Sequence, residues 1–232
     1  GIASFRYDKR GVMASYKAMK KESDLRFQDY IDDAAGWLEL LKKDKRFSSV
    51  IVIGHSEGSL VGMVAAEMAG ANKYISIAGG GRPIDQILLE QLKTGSQELY
   101  ELSVPVIDSL KRGFLVKKID TKIFAYFRPS VQPFMMSWIK MNPQDEIKKL
   151  KIPVLIIQGT TDLQVLVFDA EQLKAANPRA ELFLIPKMNH VLKIVDGNRE
   201  ANAATYKDPS LPLAPGLVGR MVTFIKNNTA AP

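Results

Sequence analysis

The sequence predicts an α/β protein with a mostly parallel sheet flanked by helices. Short apolar runs typical of buried strands alternate with segments of helical periodicity, an order that favours parallel strands joined by helices. One of these runs leads directly into Gly-His-Ser-Glu-Gly at residues 54–58, and a helix rich in small residues follows. Between residues 82 and 150 no convincing strand occurs, which indicates a helical insertion.

Residues 1–81 are predicted to form the first part of the core. Its elements are, in order, a strand at Gly1–Tyr7, a helix at Asp24–Lys43, a strand at Val50–Ile53, a helix at Ser59–Ala69 and a strand at Tyr74–Ala78. Apolar side chains recur at helical spacing from Leu25 to Leu41, and Ser23 is a suitable N-cap for that helix.

Residues 82–150 are predicted to form a helical lid between the two parts of the core. We expect helices at Ile84–Lys93 and Gln97–Arg112, a helical piece near Leu115–Phe127, and a helix at Pro133–Met141. The last two segments are rich in aromatic residues and methionine, which more often form the core of a subdomain than a pocket. A pocket for an acyl group is the alternative, because such side chains adapt to varied ligands.

Residues 151–232 are predicted to form the second part of the core. Strands are expected at Lys151–Gln158 and Glu181–Ile185, with a helix at Asp169–Ala176 between them and a closing helix at Pro215–Asn227. No internal repeat interrupts the pattern. A chain of 232 residues that is 46% hydrophobic can bury one sizeable core.

Ser56 is the candidate nucleophile, because it lies between a buried-type strand and a helix in the pattern Gly-x-Ser-x-Gly. The serine must occupy a sharp turn that exposes its hydroxyl, and small neighbours let the strand and helix approach closely. Gly54 and Gly58 are interpreted as meeting this need, with Gly62 allowing close packing one turn later. A chance match to the pentapeptide is the alternative, and the strand–turn–helix context argues against it.

His190 is the candidate base that would accept the proton of Ser56. The chain has two histidines, and the side chain of His55, next to Ser56 in the turn, is expected to point away from the hydroxyl. A histidine that follows a strand is often a surface or packing residue. The need of a serine nucleophile for a base favours the catalytic interpretation of His190.

Asp162 is the candidate for the third role, which is to orient the imidazole and stabilise its positive charge. It lies in the loop Gly-Thr-Thr-Asp after an apolar strand, and functional groups of α/β sheets lie outside the carboxyl ends of strands. It could instead cap the next helix. Asp169 and Asp196 are rivals, but Asp169 has a helical context and Asp196 follows the histidine in the chain.

These residues give the chain a resemblance to the α/β-hydrolase superfamily, and within it to bacterial serine carboxylesterases with a helical lid. The similar segments are residues 5–11 (Phe-Arg-Tyr-Asp-Lys-Arg-Gly), 54–58, 159–162, 188–190 (Met-Asn-His) and, more weakly, 206–213. The order Ser56, Asp162, His190 is the order found in that fold. The resemblance covers most of the chain outside residues 82–150.

The resemblance implies hydrolysis of a small-molecule acyl ester through an acyl-enzyme intermediate, with no cofactor and no metal. The backbone N–H of Glu57 would donate to the oxyanion. A thioesterase, a peptidase or an acyltransferase would use the same residues, so these activities stay open. A non-catalytic protein that keeps the fold to bind a small molecule is a further alternative, although binding alone needs no activated nucleophile.

Composition narrows the partners that we expect. The formal net charge is +7, but the basic residues are scattered and no motif of an RNA-binding module occurs, so no nucleic acid is predicted. The absence of cysteine excludes disulfides and thiolate metal sites. No apolar run is long enough to span a bilayer. An oligomer remains possible.

The first predicted strand begins at Gly1 itself. In the family that the chain resembles, another strand lies between those that correspond to Gly1–Tyr7 and Val50–Ile53. The resemblance therefore implies that the chain is a fragment, and a signal peptide could lie outside it, so localisation stays unknown. We expect a separate segment to fill the gap, the two strands to pair directly, or another molecule to donate a strand.

Overall fold

A four-stranded parallel sheet forms the centre of the computed structural model, which describes residues 1–227. Its strands are β1 (Ile51–His55), β2 (Lys73–Ile77), β3 (Val154–Gly159) and β4 (Glu181–Ile185). They lie side by side in chain order, and each neighbouring pair is parallel. All four strands therefore end at the same edge of the sheet, where the candidate residues follow them.

The α-helices of residues 1–227 connect these strands or extend from them. They are α1 (Phe27–Lys43), α2 (Glu57–Ala69), α3 (Ile84–Gly95), α4 (Gln97–Lys111), α5 (Phe124–Phe127), α6 (Gln132–Ile139), α7 (Pro143–Lys149), α8 (Val167–Ala176), α9 (Arg199–Ala204) and α10 (Leu217–Lys226). None of the helices in this part of the chain combines the length and the apolar character that a membrane span requires.

Successive residues of the strands point to opposite faces of the sheet, and each face has its own core. Tyr74 and Ile156 belong to a cluster with α1, α2, α7 and α8 on one face. Ile75 and Leu155 belong to a second cluster that includes Phe224 of α10 on the other face. Because both faces are covered, the central strands are apolar almost throughout, as parallel sheets require.

The stretch between β2 and β3 is helical, and α3 to α6 enclose a third cluster of buried apolar side chains. Ile107, Ile123 and Phe127 are each almost fully buried there. Of the buried aromatic and methionine side chains of this stretch, Phe127 and Met135 pack inside the insertion, whereas Phe134 packs against Phe27 of α1. The later helix α7 instead contributes Ile147 to the core under the sheet. The division into 1–81, 82–150 and 151–232, and the role of 82–150 as a lid, stay predictions.

An ion pair fixes the start of the insertion to the core. Arg82 donates to both carboxylate oxygens of Asp169, through Nε at 2.9 Å and Nη2 at 2.7 Å. Asp169 is completely buried and also accepts the backbone N–H of Gly81. The carboxylate beside it raises the pKa of Arg82 and keeps the guanidinium charged. The carboxylate of Asp169 is therefore occupied by its contacts with Arg82 and Gly81, which hold the insertion to the core.

The predicted strand at Gly1–Tyr7 is wrong, since these residues have no regular secondary structure. A strand needs a hydrogen-bonding partner, and Gly1–Tyr7 does not pair with β1, which is an edge strand. Direct pairing of the two segments is therefore contradicted. The aromatic side chains of the segment pack on α1 instead, with ring centroids of Phe5 and Trp37 4.9 Å apart and those of Tyr7 and Trp37 6.0 Å apart.

Two helical predictions also need correction. Helix α1 begins at Phe27 rather than Asp24, because Arg26 is the N-cap and its N–H donates to Asp29 at 2.7 Å. Residues 22–24 form a separate 3₁₀ turn. In the piece expected near 115–127, only a 3₁₀ turn at Thr121–Ile123 and the short α5 are helical. Helix α7 was not predicted.

Candidate active site

Ser56 lies at the sharp turn between β1 and α2. Its backbone has φ 54° and ψ −123°, a positive φ that costs free energy for any residue with a side chain. The backbone is held in this conformation by the N–H of Ser56, which donates to the carbonyl of Ile77 on β2 at 3.0 Å. The turn places the serine at the carboxyl edge of the sheet.

Two of the three glycines around the turn have the close contacts that the sequence predicted. A Cβ on Gly54 would lie 2.2 Å from the carbonyl oxygen of Gly58, and one on Gly62 would lie 2.9 Å from a methyl group of Val52. The interpretation of Gly58 is wrong, because a Cβ there would meet no atom of residues 1–227 within 4 Å. Open space thus lies next to the Cα of Gly58, whereas the backbone of Gly58 closely approaches the Cα of Gly54.

This asymmetry predicts different stabilities for two equivalent substitutions. Gly54→Ala is expected to lower the free energy of unfolding by about 1–3 kcal/mol or more, because the new methyl group must displace backbone atoms. Gly58→Ala, the matched control, is expected to change it by less than about 1 kcal/mol, since the helix gains a better helix former in open space. Urea unfolding followed by circular dichroism measures both, and equal losses would contradict the assignment.

A buried set of hydroxyl groups supports the first turn of α2 from below. Ser59 Oγ lies 2.8 Å from both Tyr74 Oη and Ser76 Oγ. Tyr74 Oη also donates to the carbonyl oxygen of Ser59 at 2.7 Å. Burial raises the pKa of Tyr74, so its hydroxyl stays protonated and donates. These contacts join the helix that follows Ser56 to strand β2.

The structure brings Ser56, His190 and Asp162 into one chain of hydrogen bonds. Ser56 Oγ lies 3.0 Å from His190 Nε2, and His190 Nδ1 lies 2.8 Å from Asp162 Oδ2. His190 is 4% exposed and Asp162 is 6% exposed. The serine side chain therefore contacts one nitrogen of a buried imidazole whose other nitrogen contacts a carboxylate.

Asp162 is held at both oxygens. Its Oδ1 accepts the backbone N–H groups of Gln164 at 2.8 Å and Val165 at 3.0 Å. Its Oδ2 accepts from Gln158 Nε2 at 3.2 Å as well as from the imidazole. Gln158 is completely buried at the end of β3, where an amide is unusual. A polar residue at the end of an otherwise apolar strand was the signal that could have identified it.

Two asparagines to which the sequence analysis gave no role join the loops that carry His190 and Asp162. Asn202 on α9 donates from Nδ2 to the carbonyl of Thr161 at 2.7 Å. Its Oδ1 accepts from Asn189 Nδ2 at 3.0 Å. Asn189 and Thr161 immediately precede His190 and Asp162, and both asparagines are buried. The bridge therefore fixes one loop relative to the other.

His55 also supports His190, through the main chain. Its Nε2 donates to the carbonyl oxygen of His190 at 2.8 Å, and the two ring centroids are 4.9 Å apart. Desolvation lowers the pKa of His55, so its ring is neutral at pH 7. As expected from the sequence, His55 does not serve as a partner for the hydroxyl of Ser56.

Asp169 and Asp196, the two alternatives to Asp162 as the acid that orients His190, take part in other ion pairs. Asp169 is paired with Arg82, and Asp196 is an exposed residue paired with Lys187.

Glu57 is the first residue of α2, so its N–H has no acceptor within the helix. The Glu57 side chain turns to Lys9 at 2.7 Å. Its backbone N–H is thus available beside Ser56.

Metal ligands are not clustered here. Among residues 1–227, no group of three or more histidine, cysteine, aspartate or glutamate side chains has the arrangement that could hold a metal ion.

One curated protein similar to this chain in sequence is named as an esterase. Esterase EstD of Thermotoga maritima is 27% identical to the chain over an alignment of 213 residues, and the match covers 89% of this chain and 49% of the relative. The chain thus spans about half the length of this curated relative. No family model matches the chain.

Two solved structures share the fold at low sequence identity. Est1E from Butyrivibrio proteoclasticus has a TM-score of 0.57 at 17% identity, and the match covers 88% of this chain and 73% of that one. A bromoperoxidase from Bacillus anthracis has a TM-score of 0.56 at 18% identity, covering 95% of this chain and 80% of that one. Likeness at such identities establishes the fold alone.

Proposed function

Because the chain has the α/β-hydrolase fold, as its sequence predicted, we propose that it is a serine hydrolase that cleaves carboxylic esters through an acyl-enzyme intermediate. The single observation that carries this proposal is the position of Ser56 Oγ, 3.0 Å from His190 Nε2 at the tip of a strained turn. Such strain is retained where a reactive group must be exposed.

Acylation would begin when Ser56 Oγ attacks the ester carbonyl carbon. As the new C–O bond forms, the hydroxyl proton passes to His190 Nε2, and Asp162 stabilises the resulting imidazolium through Nδ1. Collapse of the tetrahedral intermediate breaks the bond to the alcohol oxygen, which takes the proton from Nε2. The products of this half-reaction are the free alcohol and an ester of Ser56.

Deacylation would repeat these steps with water in place of serine. His190 Nε2 accepts a proton from the attacking water, and the carbonyl carbon becomes tetrahedral again. Ser56 Oγ then leaves and takes the proton back from His190. The acid is released, and the three side chains return to their starting protonation states.

The negative charge that develops on the carbonyl oxygen would be stabilised by the backbone N–H of Glu57. This N–H lies at the N-terminus of α2, where the helix dipole favours negative charge. A preorganised donor of this kind typically contributes a factor of about 10²–10³ to kcat.

Esters are proposed as the substrate class because the curated relative is named as an esterase. The helical insertion is proposed as the lid that shapes the acyl site. It leaves the sheet at the carboxyl end of β2, the edge at which Ser56 lies. Gln91 of α3 also donates to the carbonyl of Gln164 at 2.8 Å, next to the loop of Asp162. This contact joins the insertion to a residue two positions after Asp162 and supports the proposal.

The proposal is tested with nitrophenyl esters of increasing acyl length, assayed beside the corresponding thioesters. We expect ester hydrolysis with an optimum at one range of chain length, together with labelling of Ser56 by a fluorophosphonate. A folded chain that neither hydrolyses any ester nor reacts with the fluorophosphonate would contradict the proposal. A clear preference for thioesters would show that the proposed substrate class is wrong, while the proposed acyl-enzyme mechanism would still apply.

A further inference from the structure

The loop after α4 holds two large apolar side chains in solvent. We call residues 112–118, Arg-Gly-Phe-Leu-Val-Lys-Lys, the anchor loop. Phe114 is 65% exposed and Leu115, next to it, is 56% exposed. Single exposed apolar residues are ordinary on a protein surface, whereas Phe114 and Leu115 are neighbours in the chain and are both more than half exposed.

The backbone of Phe114 is fixed at the end of α4. Gly113 has φ 89°, and its N–H donates to the carbonyl of Leu110 at 3.0 Å. The N–H of Phe114 donates to the carbonyl of Ser109 at 3.0 Å, and Ser109 Oγ donates back to the carbonyl of Phe114 at 3.1 Å. In this type of helix ending, the apolar residue after the glycine usually packs on the helix. Here the ring of Phe114 points into solvent.

The other end of the anchor loop is fixed by a buried amide. Gln132 Oε1 accepts the N–H of Val116 at 2.8 Å, and Gln132 Nε2 donates to the carbonyl of Val116 at 2.8 Å. Gln132 is completely buried. With Ser109 on one side and Gln132 on the other, the loop presents Phe114 and Leu115 as a fixed pair.

Basic side chains flank this apolar pair. Arg112, Lys117 and Lys118 are exposed, and within residues 1–227 none of the three forms an ion pair. Their basic neighbours are engaged, Lys111 with Asp85 and Lys122 with Glu98. The acidic residues nearby in the chain are Asp108 and Asp120, and the carboxylate of Asp120 accepts the N–H of Lys122. The anchor loop itself contains no acidic residue.

We propose that the anchor loop binds the surface of a bilayer that contains anionic lipids. Phe114 and Leu115 enter the headgroup region, while Arg112, Lys117 and Lys118 lie against the lipid headgroups. Apolar insertion and electrostatic attraction together give reversible binding to such surfaces. An aliphatic Leu115 beside the phenyl ring suits a lipid better than a nucleic acid base, which stacks on aromatic rings.

The test is flotation of the chain with vesicles of phosphatidylcholine, alone or mixed with phosphatidylserine. We expect binding to the mixed vesicles that weakens as salt is raised and is much lower without phosphatidylserine. Phe114→Ser with Leu115→Ser, or Lys117→Glu with Lys118→Glu, should each lower binding about tenfold or more. The proposal would be overturned if these variants bound as tightly as the native chain. It would also be overturned if the native chain bound neither vesicle type.

Two matched controls test whether vesicle binding depends on the anchor loop itself or only on overall charge and exposed apolar side chains elsewhere. Leu40→Ser with Met68→Ser removes two other apolar side chains that are 57% and 52% exposed, on α1 and α2. Lys43→Glu with Lys45→Glu makes the same change of charge at another exposed site. Both controls should bind like the native chain. A loss in the lysine control as large as that of the loop variants would indicate attraction by overall charge. An equal loss in the Leu40 and Met68 control would indicate contact through another apolar surface, and either result would contradict the proposal.

A spectroscopic readout is available because the chain has no cysteine. Phe114→Cys, labelled with an environment-sensitive dye, should shift its emission to the blue on mixed vesicles. The same dye at Leu40→Cys should not shift. Emission from position 114 that stays unchanged while the chain binds vesicles would place the contact elsewhere and overturn the proposal.

Discussion

Replacing Ser56 or His190 by alanine is expected to lower kcat for a good ester substrate by at least about 10⁴-fold. Without Ser56 no acyl-enzyme can form, and without His190 the hydroxyl loses the base that lies within hydrogen-bonding distance of it. The measurement is steady-state hydrolysis of the preferred nitrophenyl ester. Ser49→Ala, which changes an exposed serine in the loop before β1, is the matched control and should retain full activity.

The double variant distinguishes a triad from two independent contributions. Because triad members act as a unit, Ser56→Ala with His190→Ala should be about as slow as either single variant. Losses that multiply would show that the two residues act separately. Near-normal turnover in His190→Ala would show that another group accepts the proton.

The second large effect is expected for Asp162→Asn, with a loss in kcat on the order of 10⁴. The carboxylate now accepts from His190 Nδ1, which leaves Nε2 free to accept the serine proton. An amide at position 162 would favour the other tautomer, with its proton on Nε2 facing Ser56. Circular dichroism should show an unchanged fold, since the change is isosteric.

Asp196→Asn is the control for that experiment, because Asp196 is an exposed acid paired with Lys187. It is expected to keep normal turnover. If Asp196→Asn lost more activity than Asp162→Asn, Asp196 would be the orienting acid and the role assigned to Asp162 would be wrong.

Sequence predicted the fold best where local pattern and tertiary environment agree. The strand at Glu181–Ile185 was predicted at its observed bounds, and the strand before Ser56 within two residues. Gly1–Tyr7 has an equally strand-like composition but pairs with no strand of residues 1–227, and a β-strand is defined by its pairing rather than by its own residues. The start of α1 was misplaced for a different reason, since an arginine rather than the serine at position 23 is its N-cap.

The candidate site was predictable where the chemistry allows few choices. The pentapeptide marked Ser56, the small number of histidines marked His190, and the loop after an apolar strand marked Asp162. The roles of Asn189 and Asn202 could not be found in this way, because their contacts cross 13 and 41 residues of sequence and an isolated amide carries no local pattern. Gln158 left one signal, its position as a polar residue at the end of an apolar strand, but its contact with Asp162 depends on the folded loop.

The Asn202 bridge has a mechanical consequence for the reaction cycle. Because Asn202 contacts the loops of both His190 and Asp162, we expect these two loops to move together during the reaction that we propose. Ser56 lies outside this pair of loops, in the turn between β1 and α2. The hydrogen bond from His55 to the carbonyl of His190 joins that turn to the His190 loop. We therefore expect the distance between Ser56 and His190 to vary more than the distance between His190 and Asp162.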